Sequence, residues 1–553
     1  MIQDETKHQN SASKEQVENT EFTSTLAFEL EHEIKSPTDL AGDEKSIAII
    51  DMLRLQFVDI TKQLDAMAIS CNEDEKAAIS KKVRAWINSL NVAPLVPLSF
   101  RLKTLKQIEG FLNVLAQDMG GLILRAYKTG IIHVKKKAKN DPELYSEIVH
   151  VTATALELAV RQLADHARHH FSPSPIDIRQ SLDIAKLGLV VARSAPKACK
   201  EEAGRLKCIV AEHELLRRID LYSRTDAEKK IIIERLPQYA MFVDSKYVRN
   251  GKAISQKKPG MYLITHLGKP HLKPVRTARL PATANDEMIV MYVQGMAKTA
   301  LEDIEKVRQV ELMATKHGAL HLEKDLEETK VISKAIIRGL MAKKREERKA
   351  VSKKVSIGIK VGIDVPDEIE KAEDTKAKKG WVLHDLSEHG AMLQCAVREG
   401  RSIPVRSMLT FHWPKGSKRP QYAIVRWVRA TLQGYQRLGV EFVQGNVKPA
   451  RLQFINLRSA LAQNRKWPAL LKKTKHGWQV WMETKEQHHS PLTVSIETSD
   501  SPDNDICRIY PVRIYGYNYS VFRITEVLSM EEIKAMALAH GKEKKKSVDE
   551  LDF

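Results

Sequence analysis

Asp385, Ser387 and Gly390 stand in the order Asp-x-Ser-x-x-Gly within WVLHDLSEHGAML, residues 381–393. The same three residue types begin and close turns, so turn chemistry is one reading of the stretch. The other is a binding set. An ionised Asp accepts N–H donors, a Ser hydroxyl adds a hydrogen bond, and Gly lets the backbone bend close beside a ligand. Upstream, REERKAVSKKVSI at 345–357 supplies Arg345, Arg348, Lys349 and Lys353. Guanidinium forks match phosphate oxygens, whereas Lys neutralises phosphate as a point charge. The combination points to an anionic ligand rich in hydrogen-bonding edges.

Other reactive residues are less organised. DHARHH, residues 165–170, sets His166, His169 and His170 at i, i+3 and i+4 near a helix end, a spacing that can share one face around a transition metal. No fourth ligand is evident, and imidazoles at a helix C-terminus also suit its dipole. A site without metal is therefore expected. Cys71, Cys199, Cys208, Cys395 and Cys507 are odd in number and scattered, as in a reducing compartment. His384 and His389 read as loop residues. The chain contains no Gly-rich phosphate loop, His-Glu-x-x-His pair or Gly-x-Ser-x-Gly elbow, so the expectation is a protein that is not an enzyme and needs no cofactor.

The elements that must position the Asp-Ser-Gly stretch follow from periodicity. Residues 1–45 are acidic, with about eleven Asp or Glu against four Lys, and read as a disordered arm. A helical domain is expected over 46–224, where Leu98, Leu102, Leu105, Ile108, Leu112 and Leu115 recur at three and four. SPSPIDIRQ from Ser172 holds the Ser and Pro of a helix start. Residues 225–344 form a mixed region: two or three strands after Met261, then helix from Glu287 into a Lys/Arg-crowded segment. After it the period falls to two. Val355, Ile357, Ile359, Val361 and Ile363 alternate, and further strands are expected at 381–384, 391–397, 405–411, 422–429 and 437–443. Six short strands imply an antiparallel barrel, closed by a helix at RLQFINLRSALAQN, 451–464, so that the barrel unit spans 345–463. A β-rich extension over 464–541 and a charged tail at 542–553 complete a multidomain α+β chain.

In that setting DLSEHG, with RWV at 426–428 and LGVEFV at 438–443, resembles the PilZ domain family over residues 345–443. The resemblance implies a six-stranded β-barrel whose ligand is the bacterial second messenger cyclic di-GMP. It implies binding by Asp385, Ser387 and Gly390 together with an Arg-x-x-x-Arg just before the first strand. That second half departs from the family pattern. Lys344 pairs with Arg348, Arg345 with Lys349 and Lys349 with Lys353, but no two arginines stand four apart, which implies weakened affinity.

The net charge of +19 also attracts nucleic acid. Lys334, Arg338, Lys343, Lys344, Arg345, Arg348, Lys349, Lys353 and Lys354, with Arg426, Arg429 and Arg437, could make one positive face, yet the segment lacks the interleaved aromatics on which single strands stack. Three readings stay open: a cyclic di-GMP receptor whose helical domain binds an unknown protein partner, a scaffold whose barrel has lost its ligand, and a nucleic-acid binder. No run is apolar enough for a membrane span and the N-terminus has no secretory profile, so a cytoplasmic location is expected.

Overall fold

The computed structural model describes residues 42–532 and 535, apart from 70–71, 94–95, 113–114, 116–118, 139–140, 255–258, 317–322, 342–348, 366–377, 397–402, 414–419, 431–433, 457–460, 485–487, 489, 499–500 and 530. The proposed acidic arm and charged tail lie outside or almost outside that set. From residue 42 onward the chain is helical: α1 (Gly42–Ile69), α2 (Glu73–Val92), α3 (Leu98–Glu109), α4 (Met119–Lys137), α5 (Pro142–Arg168), α6 (Pro175–Ser194), α7 (Lys200–Arg218) and α8 (Asp226–Ala240). The starts are set locally. Asn72 with Glu75, Ser174 with Asp177 and Thr225 with Glu228 form reciprocal capping boxes, and Asp141 caps α5 ahead of Pro142. Leu98, Leu105, Ile108 and Leu115 are buried in one continuous core, against which the half-buried Leu102 and Leu112 pack.

A small antiparallel sheet covers one end of these helices. Its strands are β1 (Asp244–Val248), β2 (Tyr262–His266), β3 (Val275–Thr277) and β4 (Met288–Tyr292), in the order β1-β4-β2-β3. Strand β4 occupies residues that the helical reading from Glu287 had included. Its five residues, MIVMY, are strand-prone and pair on both sides, with β1 and β2, which overrides the local tendency. Helices α9 (Gln294–Lys316) and α10 (Lys324–Met341) follow, and α10 is tied to α8 by the Arg235 guanidinium on Asp325 and Glu328 (both 2.6 Å).

Two closed six-stranded antiparallel barrels follow. The first comprises β5 (Lys349–Val361), β6 (Lys378–Ser387), β7 (Gly390–Ala396), β8 (Met408–His412), β9 (Gln421–Ala430) and β10 (Tyr435–Phe442), in the order β10-β7-β6-β5-β8-β9. The alternating residues fill it: Ile357, Ile359, Leu383, Leu393, Val425 and Val440 are buried together. The second comprises β11 (Val447–Asn456), β12 (Leu461–Thr474), β13 (Gly477–Glu483), β14 (Leu492–Thr498), β15 (Ser501–Tyr515) and β16 (Tyr519–Leu528). Here the expected closing helix at 451–464 is corrected. Its described parts are strands that pair with each other, Leu452 opposite Trp467 and Ile455 opposite Ala462, while β11 also pairs with β14. A stretch whose apolar spacing fits either period takes the one for which the rest of the chain supplies partners, here a strand on each side of β11. The expected β-rich extension is thus the remainder of a whole barrel.

The barrels pack on a shared apolar layer of Ile363, Met408, Tyr422, Ile424, Leu470, Trp481, Tyr519 and Val521. Glu483 accepts the Ile363 N–H (2.7 Å) and Asn518 accepts that of Met408 (2.8 Å). Among the described residues no helix is long and apolar enough to cross a membrane.

Candidate functional site

Asp385, Ser387 and Gly390 occupy the β6–β7 hairpin, with Ser387 directly opposite Gly390. The Ser387 hydroxyl donates to the Gly390 carbonyl across the turn (3.0 Å). The two intervening residues are pinned to the end of β10, since the His389 carbonyl accepts from Phe442 N–H (2.9 Å) and that of Glu388 from the Gln444 amide (3.0 Å). Gly390 has a packing reason to be glycine: a Cβ there would stand 2.1 Å from the Val440 carbonyl oxygen. Only the missing side chain lets β7 and β10 approach so closely.

Asp385 belongs to a row that crosses the sheet through Met392, Gly439 and Trp427. The flanking Leu383, Leu393, Leu438 and Val428 are core residues, so alternation turns this row to the outer face. Trp427 lies against Gly439, whose absent Cβ would sit 1.9 Å from the indole Nε1. The barrel therefore presents a half-buried indole and a carboxylate on one external stripe.

Strand β5 brings the basic lead-in to this hairpin. Lys349 is in register with Leu386 and Ala350 with Asp385, and the next pair is Val355 with Leu383. Residues 351–354 are thus an extended bulge opposite the single residue His384, and Lys353 rides on it. Bulges re-aim side chains and are frequent beside functional sites. Lys349 and Lys353 are placed here by their backbone only; Arg345 and Arg348 lie outside the described residues.

The other cations are partly committed elsewhere. Arg426 pairs with Glu441 (2.7 Å), Arg437 donates to Gln394 (2.9 Å), and Arg429 lies over the rings of Tyr222 (4.9 Å) and Trp427 (5.4 Å). Of the three arginines expected on a positive face, Arg426 is paired with a carboxylate, whereas Arg429 and Arg437 are oriented by neutral groups and keep their charge.

The histidine cluster is a structural junction. His170 sits just past α5 in the left-handed region (φ 60°), and its carbonyl accepts the Ala430 N–H (2.7 Å). Its ring lies between Val428 O (3.3 Å from Nδ1) and the buried Lys229 ammonium (3.0 Å from Nε2). Burial, then the Lys229 charge, lowers its pKa, so a neutral ring that donates from Nδ1 and accepts at Nε2 satisfies both neighbours. Arg406 adds an ion pair to Glu228 (2.7 Å). Among the described residues no group of three His, Cys, Asp or Glu is arranged to hold a metal ion.

Sequence reasoning passed over Arg218, Arg224 and Arg276, which converge between the helices, the small sheet and the barrel. The available signal was LLRRIDLYSR at 215–224, which places three arginines around a helix end. Compared with family models, curated proteins and solved structures, the chain matches none of them.

Proposed function

We propose that the chain is a cyclic di-GMP receptor of the PilZ type, without catalytic activity of its own, in which the first barrel reads the nucleotide. The observation that carries this reading is the register of β5, which sets Lys349 and Ala350 against Leu386 and Asp385. Basic lead-in and Asp-Ser-Gly hairpin are thereby neighbours on one barrel edge. Cations on the lead-in would neutralise the phosphates and Asp385 would accept guanine N–H donors.

The relay follows from connectivity. Residues 342–348 join Met341, the last residue of α10, to β5, and α10 is bolted to α8 through Arg235. Ligand that fixes the lead-in against the barrel would bias α10 and, through it, a partner-binding surface of the helical region, provided it binds the two arrangements with different affinity. Calorimetric titration of the full chain with cyclic di-GMP at near-physiological salt tests the reading. Micromolar or tighter binding is expected, weakened at least tenfold in Asp385→Ala and in Arg348→Ala. Absence of heat and of competition at high ligand concentration would refute it.

One observation favours the scaffold reading instead. Ser387 bonds the turn it sits in and Gly390 is required by Val440, so two of the three hairpin residues have structural roles that need no ligand.

A further inference from the structure

A cavity of about 1120 Å³ opens where the C-terminal ends of α7 and α10, strand β3 and strand β9 of the first barrel meet. Six cations line it: Arg218, Arg224, Lys273, Arg276, Arg338 and Arg429. Among the described lining residues Asp220 is the one acid. Cations at helix ends commonly offset the helix dipole, but two C-termini supply only about one negative charge between them, so even the five arginines alone, set against Asp220, leave a surplus of about three positive charges.

Several of the arginines are buried or held by their neighbours. Arg224 is only 6% exposed, and its Nε has no hydrogen-bond partner. The Nε atoms of Arg218 and Arg429 are buried and unpartnered as well. Burial, and then Arg276, lowers the pKa of Arg218; burial also lowers that of Arg224, where Glu228 opposes the effect and Arg338 and Arg406 reinforce it. Glu228 is already bonded to Arg406.

The walls are rigid. Arg217 donates to the carbonyls of Pro270 (2.9 Å) and Leu272 (2.8 Å), and Arg218 Nη1 to that of Pro274 (3.1 Å), which ties the loop before β3 to the end of α7. The rings of Tyr222 and Trp427 hold the Arg429 guanidinium. Leu272, Val275 and Met341 add apolar wall.

We infer that this cavity is a binding site for an oligophosphate chain, carried either by a nucleotide or by inorganic polyphosphate. Arginine forks bind phosphate oxygens with paired charge-assisted hydrogen bonds, and several converging forks suit successive phosphates. The volume is at the upper end of small-molecule sites, large enough for a nucleotide. None of residues 385–390 lines the cavity, so this inference goes beyond the hairpin reading and stands without it.

The test is calorimetric titration of the full chain with sodium tripolyphosphate and, separately, with GTP, at about 0.15 M salt. Arg276→Ala and Arg338→Ala change exposed side chains, so the fold is expected to survive. Each should weaken tripolyphosphate at least tenfold, the scale of one charge-assisted phosphate contact. Arg54→Ala, remote on α1, should leave tripolyphosphate binding unchanged. GTP binding more tightly than tripolyphosphate would identify a nucleotide site, and equal affinity a site for the phosphate chain alone. No binding of either probe at millimolar concentration, or equal losses in Arg54→Ala and Arg276→Ala, would overturn the inference.

Discussion

Replacing Glu214 by Gln probes the joint that holds the cavity wall. Glu214 is fully buried on α7 and accepts from Arg217 (2.9 Å), from the His213 ring (2.7 Å) and from the Thr265 hydroxyl on β2. Arg217 continues the chain of contacts to the carbonyls of Pro270 and Leu272. Burial pushes the Glu214 carboxyl up, but Arg217, His213 and Thr265 outweigh it and hold the pKa at about 2. From an ordinary value near 4.3, a drop of roughly two units corresponds to about 3 kcal/mol at neutral pH. An independent comparison agrees: removing one partner of a buried ion pair costs about 3–5 kcal/mol. The depressed pKa fixes the sign. The stabilisation is complete above the unfolded-state value and is lost as pH falls from about 4 towards 2. Spread over a helical region of about 300 residues, 3 kcal/mol lowers Tm by about 5 °C. Thermal melts by circular dichroism at 222 nm, parent against variant, at pH 7 and at pH 3, measure it. The expected gap at pH 7 narrows at pH 3. A variant as stable as the parent at pH 7, or a gap that does not depend on pH, would refute the reasoning.

Two further outcomes are expected. Gly390→Ala forces a Cβ against the Val440 carbonyl, a backbone atom that cannot swing aside, so the first barrel should lose about 1–3 kcal/mol in a denaturant titration; an unchanged midpoint contradicts the close approach of β7 and β10. Burial and then Glu157 raise the Glu212 pKa to about 7, so Glu212→Gln should stabilise the chain at pH 8, where the parent must bury a carboxylate, and have little effect at pH 5, where that carboxyl is protonated. Equal effects at the two pH values, by thermal melt, would contradict it.

The sequence by itself determined what is local. Three-four spacing marked the helical region and the Ser-Pro start of one helix, period-two alternation marked strands of the first barrel, and Ser387 and Gly390 marked a possible turn, because each depends on neighbours within a few residues. It did not decide 451–464, where apolar spacing fits helix and strand alike and the outcome depends on β14, some forty residues further on, which supplies the second ladder for β11. Nor did it foresee that β5 would lay Lys349 beside Leu386, since register is a property of two strands together. The arginine-lined cavity is the extreme case. Arg338 and Arg429 stood among the cations of an expected positive face, but Arg218, Arg224 and Arg276 are dozens of residues from them and gave no sign of joining it. Only the packing of helices, small sheet and barrel brings them around one cavity.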